Sequence, residues 1–370
     1  MSQLSRIQYV GVDAHQESLS VSVLVEGEGS AQRARKIRNE PAAVRRLFRR
    51  LLEQGPVRAV YEAGCTGFVL WRQLTELGVD CMVAAPSRIP VLPGEHRKTD
   101  RLDAERLALF LRGEQLTAVT PPTPATEALR TLVRTRDQAR KDVVAAKHHI
   151  TKFLLNRGDI YRGSRSLWCR KHRDWLRAVS MAHPDDQPLL DFKLARLATR
   201  EVELHELDER IRERATRDDI RLAVRNLSAF RGVGTLTAVN VVAEIGDARR
   251  FANKAAVAAY VGLVPSERSS GSKVRRGSIT RAGSRHLRRL LVEVAQHYRS
   301  RATESKALTA RRMAASATTR EQARLAEKRL VKRYRRLSMT KHTNVAKTAI
   351  ARELIGHLWA AMHPEIGLAR

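Results

Sequence analysis

The chain has 370 residues, enough for two or three domains, and sets 69 Lys and Arg against 39 Asp and Glu for a formal net charge of +30. At 43% hydrophobic residues it can bury real cores, which excludes a disordered basic tail. Such a charge points to a polyanionic partner, nucleic acid first and an anionic membrane surface second. Most of the cations are Arg, which suits forked phosphate contacts. Cys65, Cys81 and Cys169 are odd in number and far apart, so neither a zinc site nor a disulfide framework is expected. The start, Met1 to Arg6, lacks a signal-peptide core, and no apolar stretch is long enough to span a bilayer. The expectation is an intracellular protein.

The first segment, residues 1–119, reads as α/β. Ile7 to Asp13 is an apolar run, and Leu19, Val21, Val23 and Val25 follow in strand period, which predicts a hairpin. Val44, Leu47, Phe48 and Leu51 are spaced as a helix over 41–52. Val57 to Glu62 is a short buried-type strand, Gly64 to Gly67 a turn, and Phe68 to Leu77 a helix stopped by Gly78. Val79 to Ala85 is a strand ended by Pro86. Thr99 is placed to cap a helix running to Gly113.

Pro121, Pro122 and Pro124 then break the chain, opening a second segment, residues 120–218. Leu129, Arg136, Val143, Ile150 and Arg157 share one heptad position of a long helix. Leu190, Leu194, Leu197, Leu204, Leu207 and Ile211 carry the same beat in a second helix. An insertion rich in Gly, Arg, His and Trp lies between them at 157–188. The pair is an antiparallel hairpin, an oligomerising coiled coil, or ordinary bundle core. In the third segment, residues 219–370, two apolar helical stretches meet at Gly232-Val233-Gly234. This is either a helix-hairpin-helix, where bare N–H groups approach phosphate, or a plain helical corner. The stretch Arg324 to Arg336 is helical and very basic.

Four acids stand out against this background. Asp13 and Glu62 end strands, and Asp100 and Asp103 share a helix face at i, i+3. Taken singly, a strand-end acid is commonly a turn residue, and acids in a first helical turn favour the helix dipole. Taken in this order they make a pocket for a divalent cation. Mg²⁺ prefers oxygen ligands, and two such ions can activate an attacking oxygen and stabilise a leaving one in phosphodiester cleavage.

The stretches Val10-Gly11-Val12-Asp13, Tyr61-Glu62-Ala63-Gly64, Lys98-Thr99-Asp100-Arg101-Leu102-Asp103-Ala104, Gly232-Val233-Gly234, Tyr260-Val261-Gly262-Leu263-Val264-Pro265, Ser270-Gly271 and Gly283-Ser284-Arg285-His286-Leu287-Arg288 resemble, in order, the DEDD transposases of bacterial insertion sequences, the family often called one-ten. The resemblance implies a multi-domain α/β plus α fold. Its parts would be an N-terminal RNase H/RuvC-like domain, a central helical coiled-coil region and a C-terminal, mainly helical transposase domain. It maps the acidic quartet onto Asp13, Glu62, Asp100 and Asp103, with Mg²⁺ (or Mn²⁺) as cofactor. A nucleophilic serine that links covalently to DNA maps onto Ser270, with Ser269 as the alternate nucleophile. Gly232, Gly234, Arg268, Lys273, Arg275, Arg276, Arg285 and Arg288 are the nucleic-acid-binding candidates. Implied partners are double-stranded donor and target DNA, a non-coding bridge RNA that guides the reaction, and further copies of the chain in a dimer or tetramer, with no membrane. A cytoplasmic, nucleoid-associated bacterial protein is expected. Two rival readings share the charge: a RuvC-like structure-selective nuclease that uses water, and a non-catalytic basic coiled-coil protein that binds nucleic acid.

Overall fold

The computed structural model describes residues 6–90, 99–267, 275–299 and 303–362. The chain divides into two compact units, Met1–Thr123 and Pro124–Arg370. The first is built on a five-stranded sheet of order β3-β2-β1-β4-β5. Strands β1 (Gln8–Ala14) and β2 (Ser18–Val25) form the expected antiparallel hairpin. Strand β3 (Arg35–Arg38) extends it and was not legible, because its sequence Arg-Lys-Ile-Arg has no apolar alternation and the strand occupies a sheet edge. On the other side of β1, strands β4 (Val57–Glu62) and β5 (Asp80–Ala84) are parallel to it.

Helices α1 (Pro41–Gln54) and α2 (Val69–Glu76) cover one face of the sheet. Val44, Phe48, Leu51, Leu70 and Leu74 pack there against Val10, Val12, Ala59 and Tyr61. The opposite face takes α3 (Asp100–Arg112), whose Leu107 and Leu111 meet Val60 and Ala84. Period-2 alternation along β1 and β4 assigns each residue to its face. Tyr9, Gly11 and Asp13 therefore lie on the α3 side, as do Val60 and Glu62.

The second unit is helical. Helices α4 (Pro124–Leu155) and α6 (Asp186–Arg214) pack along each other. Arg136 pairs with Asp208, Lys147 with Glu201 and Arg157 with Asp186, so the two helices run antiparallel within one chain. The insertion contains a short helix, α5 (Arg170–Ala178), whose Leu176 joins Ile150, Phe153 and Leu190 in a local core. The main core gathers α7 (Asp218–Ser228), α8 (Thr235–Ile245), α9 (Lys254–Tyr260), α10 (Arg285–Ala295), α11 (Lys306–Ala314), α12 (Ala317–Ser338) and α13 (Thr343–Met362). Helix α13 runs through its middle with Ile350, Leu354, Ile355 and Leu358 fully buried. A two-stranded antiparallel ribbon of β6 (Pro265–Glu267) and β7 (Arg276–Ile279) lies between α9 and α10 in the chain. The three cysteines are free. Among the described residues no helix is long and apolar enough to cross a membrane.

Candidate active site

The site in the first unit is built by one close approach. A Cβ on Gly11 would lie 2.0 Å from Ala104 O and 2.6 Å from Ala108 N. Only glycine lets α3 lie this tightly on β1. Thr99 starts the helix as its N-cap, its Oγ1 accepting from Leu102 N at 3.3 Å. Capping here sets Asp100 and Asp103 in the first turn, over the end of the strand that carries Asp13.

Asp13, two residues beyond Gly11, is thereby brought to Asp100. Ligand atoms of Asp13, His15 and Asp100 all lie within 4.8 Å of one another. His15 Nε2 is 3.1 Å from Asp13 Oδ2 and 3.5 Å from Asp100 Oδ1. The turn that presents His15 is fixed from behind, since Asn39 Nδ2 donates to His15 O at 2.8 Å. Burial pushes the Asp13 carboxyl above the usual carboxylate range; His15 opposes the shift, and the charges of Asp100 and Asp103 add to it. Asp103 also lies 3.5 Å from Arg106, one turn on.

Glu62 lies outside this group of three. It ends β4, one residue past the last paired positions, Val12 and Tyr61, and is exposed. By that register it is the neighbour of Asp13 on the adjacent parallel strand. Of the four acids the sequence selects, Asp13 and Asp100 are in direct reach and Asp103 is felt through its charge. Glu62 stands at the next strand end. His15 was missed, although Asp13-Ala14-His15 has the two-residue spacing that puts both side chains on one side of an extended chain.

The donor set of two carboxylates and one imidazole, with a third carboxylate nearby, fits a divalent cation. The carboxylates suit Mg²⁺, and the imidazole is better tolerated by Mn²⁺.

In the second unit, Ser269 and Ser270, with Arg268 and Lys273, lie outside the described residues. They belong to the connection between β6 and β7. The base of that ribbon is another close crossing. Gly262 and Gly283 both have positive φ; a Cβ on Gly262 would sit 2.2 Å from Ala282 O, and one on Gly283 would sit 1.8 Å from Tyr260 O. Arg288 Nη1 clamps the crossing by donating to Val261 O (2.7 Å) and Ala282 O (2.9 Å). Its guanidinium thus holds backbone. Arg275 and Arg285 are exposed, and Arg276 opens β7. Gly232 has φ +79° beside His297, and Gly234 opens α8 in extended conformation. Around this corner lies a groove of about 290 Å³ lined in part by Arg311 and Ser305.

A partly buried polar network that the sequence does not reveal joins helices of the second unit. Glu244 is 1% exposed and takes a two-pronged contact from Arg134, at 2.9 and 3.1 Å. Asp137 accepts from Arg289 at 2.6 Å and faces His286 Nδ1 at 3.4 Å, while His286 Nε2 meets Asn240 Oδ1 at 2.5 Å. These contacts join α4, α8 and α10.

Comparisons with known proteins place the chain in a family. Residues 10–157 match the DEDD-type transposase family model of the IS110 group, and residues 224–310 match the model described as "Transposase IS116/IS110/IS902 family". The chain is 37% identical over 359 residues to "Putative transposase y4qE" of Sinorhizobium fredii, covering 96% of this chain and 88% of that protein. It is 30% identical over 338 residues to the transposase for insertion sequence element IS1533 of Leptospira borgpetersenii, covering 90% and 97%. Matches of this length and order, over an α/β unit with clustered acids and a helical second unit, show that the chain belongs to the IS110 family of transposases.

Proposed function

We propose that the protein is a DNA recombinase that excises and inserts an insertion sequence through two sets of residues. The first set is Asp13, Glu62, Asp100 and Asp103, assisted by His15, holding Mg²⁺ or Mn²⁺. When bound, the cation neutralises phosphate charge and favours an ionised oxygen nucleophile. The second set is the β6–β7 connection, where Ser270, or Ser269 beside it, attacks phosphorus. A serine–phosphate bond forms as the phosphate–deoxyribose oxygen bond breaks, and the released oxygen takes up a proton. A DNA hydroxyl then reverses the step on a new partner, which rejoins the strand without loss of bond energy. Exposed Arg275 and Arg285 would meet the DNA backbone.

The observation that carries this reading is the approach of Asp13 and Asp100, their ligand atoms within 4.8 Å, across the glycine-mediated packing of α3 on β1. The sheet order, with acids at the ends of its two central parallel strands, supports an RNase H/RuvC-like first domain over 1–119, followed by a helical region over 120–218 and a transposase domain over 219–370. Guidance by a non-coding RNA, assembly of two or four copies, and work at the nucleoid in the cytoplasm complete the proposal. The high charge supports simultaneous binding of RNA and DNA.

The test is a recombination assay with duplex donor and target, read beside a denaturing gel for protein–DNA adducts. Asp13→Ala is expected to abolish both recombination and adduct. Ser270→Ala is expected to abolish both while leaving nucleic-acid binding intact. Cleavage by Ser270→Ala and Ser269→Ala variants without any adduct would mean that water is the nucleophile, as in a RuvC-like nuclease.

A further inference from the structure

A second feature of the helical unit is a groove of about 610 Å³ along α12. Arg324, Lys328, Lys332 and Arg335 line it at spacings of four, four and three residues, which keeps them within one arc of the helix. All four are exposed, and none makes an ion pair or side-chain hydrogen bond among the described residues. The groove's two acids are already matched. Glu327 pairs with Arg231 at 2.7 Å and with Arg312 at 2.6 Å, and Glu304 pairs with Arg312 at 2.6 Å. Arg312 is only 2% exposed, so this internal set is fixed and leaves the α12 cations in excess.

We propose that this groove grips the phosphate backbone of one strand of duplex DNA. The inference rests on the reading of the chain as a DNA recombinase and adds a surface to it. Four residues of helix rise about 6 Å, comparable to the distance between successive phosphates along a strand. Four unmatched cations on such a pitch meet neighbouring phosphates one by one. The contacts go to backbone alone, so they position DNA without reading its sequence. Residues 317–338 also lie beyond both matched family regions, 10–157 and 224–310.

The experiment measures binding of a labelled DNA duplex to the full-length protein across a salt series. The fourfold variant Arg324→Gln, Lys328→Gln, Lys332→Gln and Arg335→Gln keeps good helix formers on α12. Each lost phosphate contact should flatten the slope of log affinity against log salt by about 0.9. A control variant with Arg45, Arg46, Arg49 and Arg50 of α1 changed to Gln removes the same charge elsewhere. The proposal expects a much larger loss for the α12 variant, equal on unrelated DNA sequences. Equal losses in both variants would reduce the effect to overall charge and overturn it. So would unchanged duplex binding, including the case in which only RNA binding falls. Should the fourfold variant fail to fold, Lys328→Gln and Lys332→Gln singly should each flatten the slope by about one contact, and unchanged slopes would overturn the proposal. Because Asp13→Ala removes cleavage and not this surface, failure of the groove and failure of the acidic site are separate outcomes.

Discussion

Asp13 shows how one side chain ties stability to chemistry. Its carboxyl is half-buried at a strand end and faces two further acids, so ionisation is opposed by desolvation first and by like charge second. A carboxyl whose folded-state proton affinity is raised stabilises the fold at low pH and loses that contribution as pH rises through its shifted value. At neutral pH, then, the metal-free protein carries an ionised Asp13 at a cost. Asp13→Asn should raise the melting temperature of metal-free protein at neutral pH, while removing activity. Added MgCl₂ or MnCl₂ should raise the melting temperature of the wild type and do so far less in the variant. Equal metal-induced shifts in both proteins would remove Asp13 from the site.

At the scale of elements, the antiparallel α4–α6 pair is held by ion pairs as well as by its apolar seam. Glu201 of α6 accepts from Arg173 of α5 at 2.8 and 2.9 Å and pairs with Lys147 of α4 at 2.9 Å. The Arg173 hydrogen bonds, reinforced by Lys147, hold its carboxyl down at about 2. An acid with a lowered folded-state value stabilises above its ordinary value, 4.5, and that stability is lost as pH falls toward 2. Glu201→Gln should therefore cost roughly 2 kcal/mol at neutral pH, allowing for solvent screening. The difference from wild type should vanish in urea unfolding as pH falls through this window. A difference that does not change with pH would assign the cost to packing. At this scale the insertion is more than a connection, because α5 donates the arginine that locks the two long helices.

At the scale of the whole molecule, charge is sorted between interior and surface. Among the described residues Arg312 is the one buried Lys or Arg, and it is matched: it reaches Ala229 O, Glu304 and Glu327, and Glu327 also holds Arg231. This set joins the segment just after α7 to α11 and α12. Arg312→Met leaves Glu304 without its cation and Glu327 with Arg231 alone, and should destabilise the protein by about 3 kcal/mol. Equilibrium urea unfolding measures it, and a loss under about 1 kcal/mol would contradict the structure of this set.

The sequence by itself determined most of the elements and the identity of the family. Strand period marked β2, short apolar runs bounded by turn residues marked β1, β4 and β5, and heptad spacing marked α4 and α6, because these patterns are local consequences of which face meets the core. The places of Asp13, Asp100 and Asp103 in the fold were legible for the same reason: each sits at an element end that local signals mark. Tertiary structure alone decided what meets what. The role of Gly11 depends on α3, some ninety residues away, crossing β1 at that point. His15 entered the site because the β1–β2 turn folds it back toward Asp13 and Asp100. Arg288, Asp137 and Glu244 look like ordinary surface charges in the sequence, and only packing of distant helices selected their partners and buried Asp137 and Glu244. Burial and long-range approach are properties of the assembled chain, whereas periodicity and capping are written locally.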